Sequence, residues 1–178
     1  MVPCDRKVTY ALLIATLSPH KEEVNHVHVT ISGKDINYPG VTATHYTILT
    51  MTKCLLNSTL STTCSKFIVL EIKNFYYNTA MYCYEYMHIP LHSIPDEIIA
   101  QYNLHALASD GWFYLEIRKG MPGLKQNGII VNNRLNFNLV KHGYAPVPRT
   151  PSLWSHAHLP LMFSLVIDDF GIKYTGSS

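Results

Sequence analysis

The sequence predicts a single α+β body. Strand-like and helix-like periodicities alternate along the whole chain, with no internal repeat, linker or low-complexity segment between them. Of its 178 residues 47% are hydrophobic and only 15% charged, enough apolar material for one sizeable core.

The stretch Tyr10–Leu17 behind Asp5-Arg6-Lys7 has the outline of a short signal peptide. An acid in its charged region, and no small-residue cleavage site before Lys21-Glu22-Glu23, favour a first strand over 8–17. His26-Val27-His28-Val29-Thr30-Ile31 alternates with period two and stops at Ser32-Gly33-Lys34-Asp35, which makes it the neighbouring arm of a hairpin. From Tyr46 to Ser61 the residues Ile48, Leu49, Met51, Leu55, Leu56 and Leu60 recur at helical spacing among threonines that weaken the helix. Phe67-Ile68-Val69-Leu70-Glu71-Ile72 is branched and aromatic, as expected of a strand buried on both faces.

Pro95-Asp96-Glu97 suits a first helical turn, and the short helix it opens ends near Tyr102. Trp112–Arg118 reads as a strand stopped by Gly120-Met121-Pro122-Gly123. A long helix follows from Leu124 to Lys141, with Ile129, Ile130, Leu135, Leu139 and Val140 on one broad face and Gly143 as its stop. Pro146, Pro148 and Pro151 then impose an extended loop. The final apolar run, Leu161–Ile167, delivers Asp168 and Asp169 into a Phe170-Gly171 turn, and Ile172-Lys173-Tyr174 follows.

Fourteen Lys and Arg against twelve Asp and Glu leave a net charge of +2, without the broad basic footprint of an independent nucleic-acid binder. Cys4, Cys54, Cys64 and Cys83 form no CxxC pair, and a chain of this size needs no disulfide scaffold. They read as reduced and buried or incidental, which implies an intracellular address, cytoplasm or nucleus, and not secretion. The Asn57-Ser58-Thr59 sequon has meaning only in a secreted chain, and no segment is long enough to span a bilayer.

Two adjacent carboxylates at the end of an apolar strand repel each other and are costly to bury, so such a pair either sits in a polar hairpin turn or holds divalent cations. His26 with His28, and His156 with His158, each offer two imidazoles. With no cysteines at suitable spacing to complete four ligands, solvated strand and loop positions explain them better than a metal site. Asp169-Phe170-Gly171 also matches the magnesium-binding triplet of protein kinases, but the sequence has neither the Gly-rich phosphate loop nor the His-Arg-Asp loop.

Three segments, in this order, resemble the polymerase motifs of reverse transcriptases, in their details those of copia-type retrotransposon polyproteins. Leu70-Glu71-Ile72-Lys73-Asn74-Phe75-Tyr76-Tyr77-Asn78 resembles the family's acid-bearing strand. Lys119-Gly120-Met121-Pro122-Gly123-Leu124-Lys125-Gln126 resembles the Gly-Leu-Lys-Gln motif that opens the palm's long helix, and Val166-Ile167-Asp168-Asp169 the double-aspartate hairpin. Gly143-Tyr144 and Thr150-Pro151-Ser152-Leu153-Trp154 occupy the place of two further family elements.

The resemblance spans residues 7 to 175 and implies an incomplete right-hand polymerase. Its parts would be partial fingers over 1–66 and a palm over 67–178, truncated after the double-aspartate hairpin, together one structural domain with the acids on an antiparallel sheet packed on helices. Glu71, Asp168 and Asp169 would be the catalytic carboxylates and ligands of two Mg2+ ions, with Mn2+ as a substitute, in nucleotidyl transfer to a primer 3'-hydroxyl. Nucleotide contacts would come from Lys73, from Tyr76 beneath the incoming sugar, from Gln126 framing the nucleotide and template pocket, and from His28. The partners implied are an RNA or DNA template-primer, deoxynucleoside triphosphates and the rest of a polyprotein (thumb, ribonuclease H, integrase), with no membrane.

Two departures bear on activity. The family carries Asp where this chain has Glu71, and the added methylene moves the carboxylate by about one bond length, a displacement that costs on the order of a hundredfold in rate. In the fingers hairpin the family's bases become His26 and His28, which hold phosphate poorly when neutral. A non-catalytic retroelement relic, with at most weak nucleic-acid or protein binding, is the reading from a different class of function.

Overall fold

The computed structural model describes residues 2–4, 6–20, 23–43, 49–150 and 152–176. Tyr46–Ile48, expected in the first helix, and Pro151, expected in the proline loop, lie outside the described residues. The chain is mixed α+β with two sheets. It forms two compact units, 1–42 with 76–127 and 43–75 with 128–178, so it passes between them at 42/43, 75/76 and 127/128. The reason lies in pairing: the strand that holds Glu71 joins the C-terminal strands, while the segment after it returns to the N-terminal hairpin.

The first unit is built on a four-stranded sheet in the order β2-β1-β4-β5. Strand β1 (Val8–Leu17) pairs antiparallel with β2 (Asn25–Ile31), Ala11 opposite Ile31 and Leu17 opposite Asn25. Strand β4 (Ala80–Pro90) runs parallel to β1, with Tyr10 beside His88, and antiparallel to β5 (Trp112–Lys119). Alternate residues turn inward, and Ile31, Met81, Met87 and Ile117 bury with Ile36, Met121 and Leu124 as the core. The first unit also carries the helix over Asp96–Tyr102. That helix ends at Asn103 in the left-handed conformation, with φ 49°.

The second unit holds helix α1 (Leu49–Leu60), strand β3 (Ser65–Glu71), helix α3 (Asn127–Lys141, begun at the last residue of the first unit) and strands β6 (Tyr144–Pro146), β7 (Leu153–His156), β8 (Leu161–Val166) and β9 (Asp169–Thr175). The helix over Asp96–Tyr102 is α2 in chain order. The sheet is antiparallel throughout, in the order β3-β9-β8-β7-β6. Trp154, Phe163 and Leu165 are buried, and Leu135 and Leu139 of α3 pack against them with Tyr144, Phe170 and Ile172. Each such apolar side chain contributes roughly 1.5–3 kcal/mol on burial. Helix α1 is tied to the sheet by Lys173, whose Nζ donates to Ser58 O (3.0 Å), Ser58 Oγ (2.9 Å) and Thr62 Oγ1 (2.8 Å), a cation at a helix C-terminus where the dipole favours it.

Several expectations are corrected. Strand β3 is not buried on both faces: among the described residues it is the sheet's edge, paired with β9 alone, and Val69 is 65% exposed. Apolar branched residues favour a pleated surface, but they do not say how many neighbours the strand acquires. The long helix begins at Asn127, because Gly123 adopts φ +96° and Leu124–Gln126 form a turn. The proline loop contains β6 and β7, and β4 was not anticipated. The turn expected at Phe170-Gly171 lies instead at Ile167-Asp168. Gly171 sits within β9 at a close approach, where a Cβ would come 2.9 Å from Ser164 Oγ and 3.0 Å from Phe67 Cζ. All four cysteines are free and exposed, which removes the buried alternative for them.

Candidate functional site

Strands β8 and β9 form a hairpin in which Val166 pairs with Asp169, leaving Ile167-Asp168 as a two-residue loop. Such loops need positive φ at the first central position, a place that suits glycine. Here Ile167 takes it, with φ +60°. For a β-branched residue this is a strained conformation, costing on the order of 1–2 kcal/mol. It sets the backbone of Asp168, whose carbonyl accepts a hydrogen bond from the Ile72 amide (3.0 Å) just beyond β3.

That bond extends the β3–β9 ladder, in which Glu71 stands directly opposite Asp169. Directly opposed residues of an antiparallel pair project to the same face, so the two carboxylates share one side of the sheet. Asp168 is the most enclosed of the three, and burial raises its carboxyl above the ordinary value. A hydrogen bond from its own backbone amide acts the other way, and the charges of Asp169 and Glu71 raise it further. The three acids therefore interact across the hairpin tip, with Glu71 on an edge strand.

Charge is partitioned between the units in a way the total of +2 conceals. The second unit has seven basic residues (Lys53, Lys66, Lys73, Lys141, Lys173, Arg134 and Arg149) and only three acids, which are Glu71, Asp168 and Asp169. All the acids of a basic unit are thus gathered at one place, although like charges side by side are unfavourable.

Carboxylates are the donor type that magnesium requires, but among the described residues no three His, Cys, Asp or Glu side chains come close enough together to hold a metal ion. Glu71, Asp168 and Asp169 as they stand do not close around an ion, and the arrangement fits the expected Mg2+ or Mn2+ pair in chemistry but not in compactness.

Lys73 lies in the turn after β3, in the same unit as the acids and exposed. Tyr76, Gln126 and His28 belong to the first unit. Tyr76 is half-buried, and its carbonyl accepts from the Thr79 amide (3.1 Å). His28 is exposed on β2 and stacks with His26 at 5.9 Å between ring centroids, while His26 Nδ1 faces Glu23 at 3.5 Å.

Gln126 is 2% exposed, and its Nε2 donates to Glu85 Oε1 at 2.9 Å, a buried partner on β4 that sequence reasoning missed. The surrounding motif is similarly engaged. Lys125 Nζ donates to the carbonyls of Lys34 (2.9 Å) and Ile36 (3.1 Å), Asn127 Nδ2 donates to Met121 O (3.0 Å), and the Ile31 amide donates to Pro122 O (3.1 Å). A Cβ on Gly123 would overlap the Ile31 carbonyl oxygen. Residues 120–127 thus lock the end of β5 onto the end of β2, and in this arrangement Gln126 serves the core of the first unit. Glu85 was detectable in principle as the one acid in the inward set Met81, Glu85, Met87, Ile89, though nothing local pairs it with Gln126. No helix among the described residues is long and apolar enough to cross a membrane.

No family model matches the chain, and no curated protein or solved structure matches it.

Proposed function

We propose that the chain carries the fingers and palm regions of a reverse transcriptase of copia-type retroelement descent, whose nucleotidyl-transfer activity is impaired. The observation that carries this reading is the acid cluster: Glu71 stands in register with Asp169, beside Asp168 in a strained hairpin loop, and these are the only acids of a basic unit. Such a tip is poorly suited to stability and well suited to attracting cations. The seven basic side chains of the same unit would favour a polyanionic template-primer, and Lys73 lies two residues beyond Glu71.

The test is primer extension on a labelled template-primer with magnesium. Weak incorporation by the natural chain, raised by Glu71→Asp and abolished by Asp168→Asn, is the expected result. A second reading, a non-catalytic retroelement relic, is favoured by the open carboxylate set and by the burial of Gln126 against Glu85. Absence of incorporation in the natural chain and in Glu71→Asp alike decides for the relic.

A further inference from the structure

The hairpin of β1 and β2 reaches past the rest of its sheet. Strand β4 accompanies β1 only from Val8 to Tyr10, and Pro90, next but one after His88, has no N–H to carry the ladder further. Residues 11–17 of β1 therefore have β2 on one side and, among the described residues, no strand on the other. Leu12, Leu13, Ile14 and Leu17 are exposed there, Leu17 by 67%. A two-stranded ribbon left to itself in water is marginal.

The hydrogen-bond pattern fixes which groups this edge presents. The Ser32 amide donates to Tyr10 O (3.1 Å) and the Ser18 amide to Val24 O (2.7 Å), so the even-numbered residues of β1 make the bonded pairs with β2. The N–H and C=O groups of Leu13, Ala15 and Leu17 consequently point out of the free edge. The outer edges of the same sheet are guarded. On β2 the Tyr77 hydroxyl donates to Val29 O (3.1 Å) and the Ile31 amide to Pro122 O (3.1 Å), while β5 carries Glu116, Arg118 and Lys119. From Val8 to Ser18 the sequence has neither a charge nor a proline, the devices that commonly blunt an edge.

We propose that this edge pairs with the same edge of a second copy of the chain, antiparallel and centred on Ala15. The occupant follows from the symmetry of the outward residues, since Leu13 and Leu17 stand two positions to either side of Ala15. A twofold axis through Ala15 lets Leu13 exchange both backbone bonds with Leu17 of the other copy, and Ala15 with its own counterpart, so every outward group is satisfied and the contact closes at two copies. Leu13 and Leu17 also become direct cross-strand neighbours on one face, as Ile14 and Thr16 do on the other. With no charge on the strand, self-pairing brings no like charges together.

The experiment is sedimentation equilibrium of the full chain over a range of concentrations. The expected result is a reversible dimer that Ala15→Lys abolishes, because it sets two lysines directly opposite each other, with the far-ultraviolet circular dichroism spectrum kept. A disulfide test reads the register without relying on that variant. In a chain whose four exposed cysteines are replaced by serine, Ala15→Cys should cross-link on mild oxidation, since directly opposed bonded residues have Cα atoms about 5.5 Å apart, within disulfide reach. Leu17→Cys should not, because its two copies would lie four strand positions apart, about 13 Å. A monomer at every concentration, a dimer indifferent to Ala15→Lys, equal cross-linking at the two positions, or assembly that grows beyond two copies would each overturn the proposal.

Discussion

Gly123→Ala and Gly111→Ala make a matched pair that tests whether the Gly123–Gln126 segment is a structural lock. Both glycines belong to the first unit and both hold positive φ, +96° and +80°. An L-residue in such a conformation costs on the order of 1–2 kcal/mol at either position. They differ in surroundings. A Cβ at Gly111 meets nothing within 4 Å, whereas one at Gly123 overlaps the Ile31 carbonyl oxygen. Relief at Gly123 requires the two backbones to part, which strains the Ile31–Pro122 hydrogen bond and the two Lys125 bonds to Lys34 and Ile36. Loss of two such bonds adds about 2 kcal/mol. The expected destabilisation is then about 1.5 kcal/mol for Gly111→Ala and about 3.5 kcal/mol for Gly123→Ala. At about 3 °C per kcal/mol for a chain of this length, the melting temperatures should fall by about 4 °C and about 10 °C. Thermal melts followed by circular dichroism measure both, and equal shifts would refute the lock.

Phe163→Ala removes a ring that is 2% exposed and in contact with Tyr144, Trp154 and Phe170, and should cost about 3–5 kcal/mol in chemical denaturation. Val69→Lys on the exposed edge strand β3 should slow aggregation, read by light scattering, with little change in melting temperature, because a charge on an unpaired edge opposes strand addition. Asp168→Asn should stabilise the fold at neutral pH by about 0.5 kcal/mol, a figure reduced for solvent screening. The sign follows from its raised carboxyl: the folded state favours the protonated form, so stability from this group is full below the ordinary carboxylate value and is lost as pH rises through the folded one. The gain from Asn should accordingly vanish in melts at acid pH.

What was legible in the sequence was local. The alternation of His26–Ile31 and the Pro95-Asp96-Glu97 start each report a geometry set within a few residues, and β2 and α2 lie where those signals place them. Strand β4 was hidden because its inward set includes Glu85 and its outward set is tyrosine-rich, so no contrast of polarity marks the alternation. The helix start at Asn127 was unreadable for a different reason: Lys125 and Gln126 are good helix formers held out of the helix by partners some 90 and 41 positions away, a separation that the 89- and 91-residue Lys125 bonds make explicit. Apolarity likewise identified β3 without revealing that it has one neighbour. The acids themselves were readable as a set, but the register that puts Glu71 opposite Asp169 depends on a pairing across almost 100 residues.

The two segments that resemble functional motifs differ in how their local demands are met. Around Gln126 the side chains of Lys125, Gln126 and Asn127 all have partners and the backbone crossing is tight, as in a segment selected for packing. At the hairpin tip the opposite holds: Ile167 is in an unfavourable conformation, and Asp168 is enclosed beside two like charges. Local rules are broken in folded proteins mainly where function outweighs stability. Between the two motifs, the acid tip is therefore the place where substitutions should change activity more than folding, and the Gly123–Gln126 turn the place where they should do the reverse. Measuring incorporation and melting temperature on Asp168→Asn and Gly123→Ala side by side separates these roles, and a gain in stability without loss of incorporation at Asp168 would remove the argument for a catalytic tip.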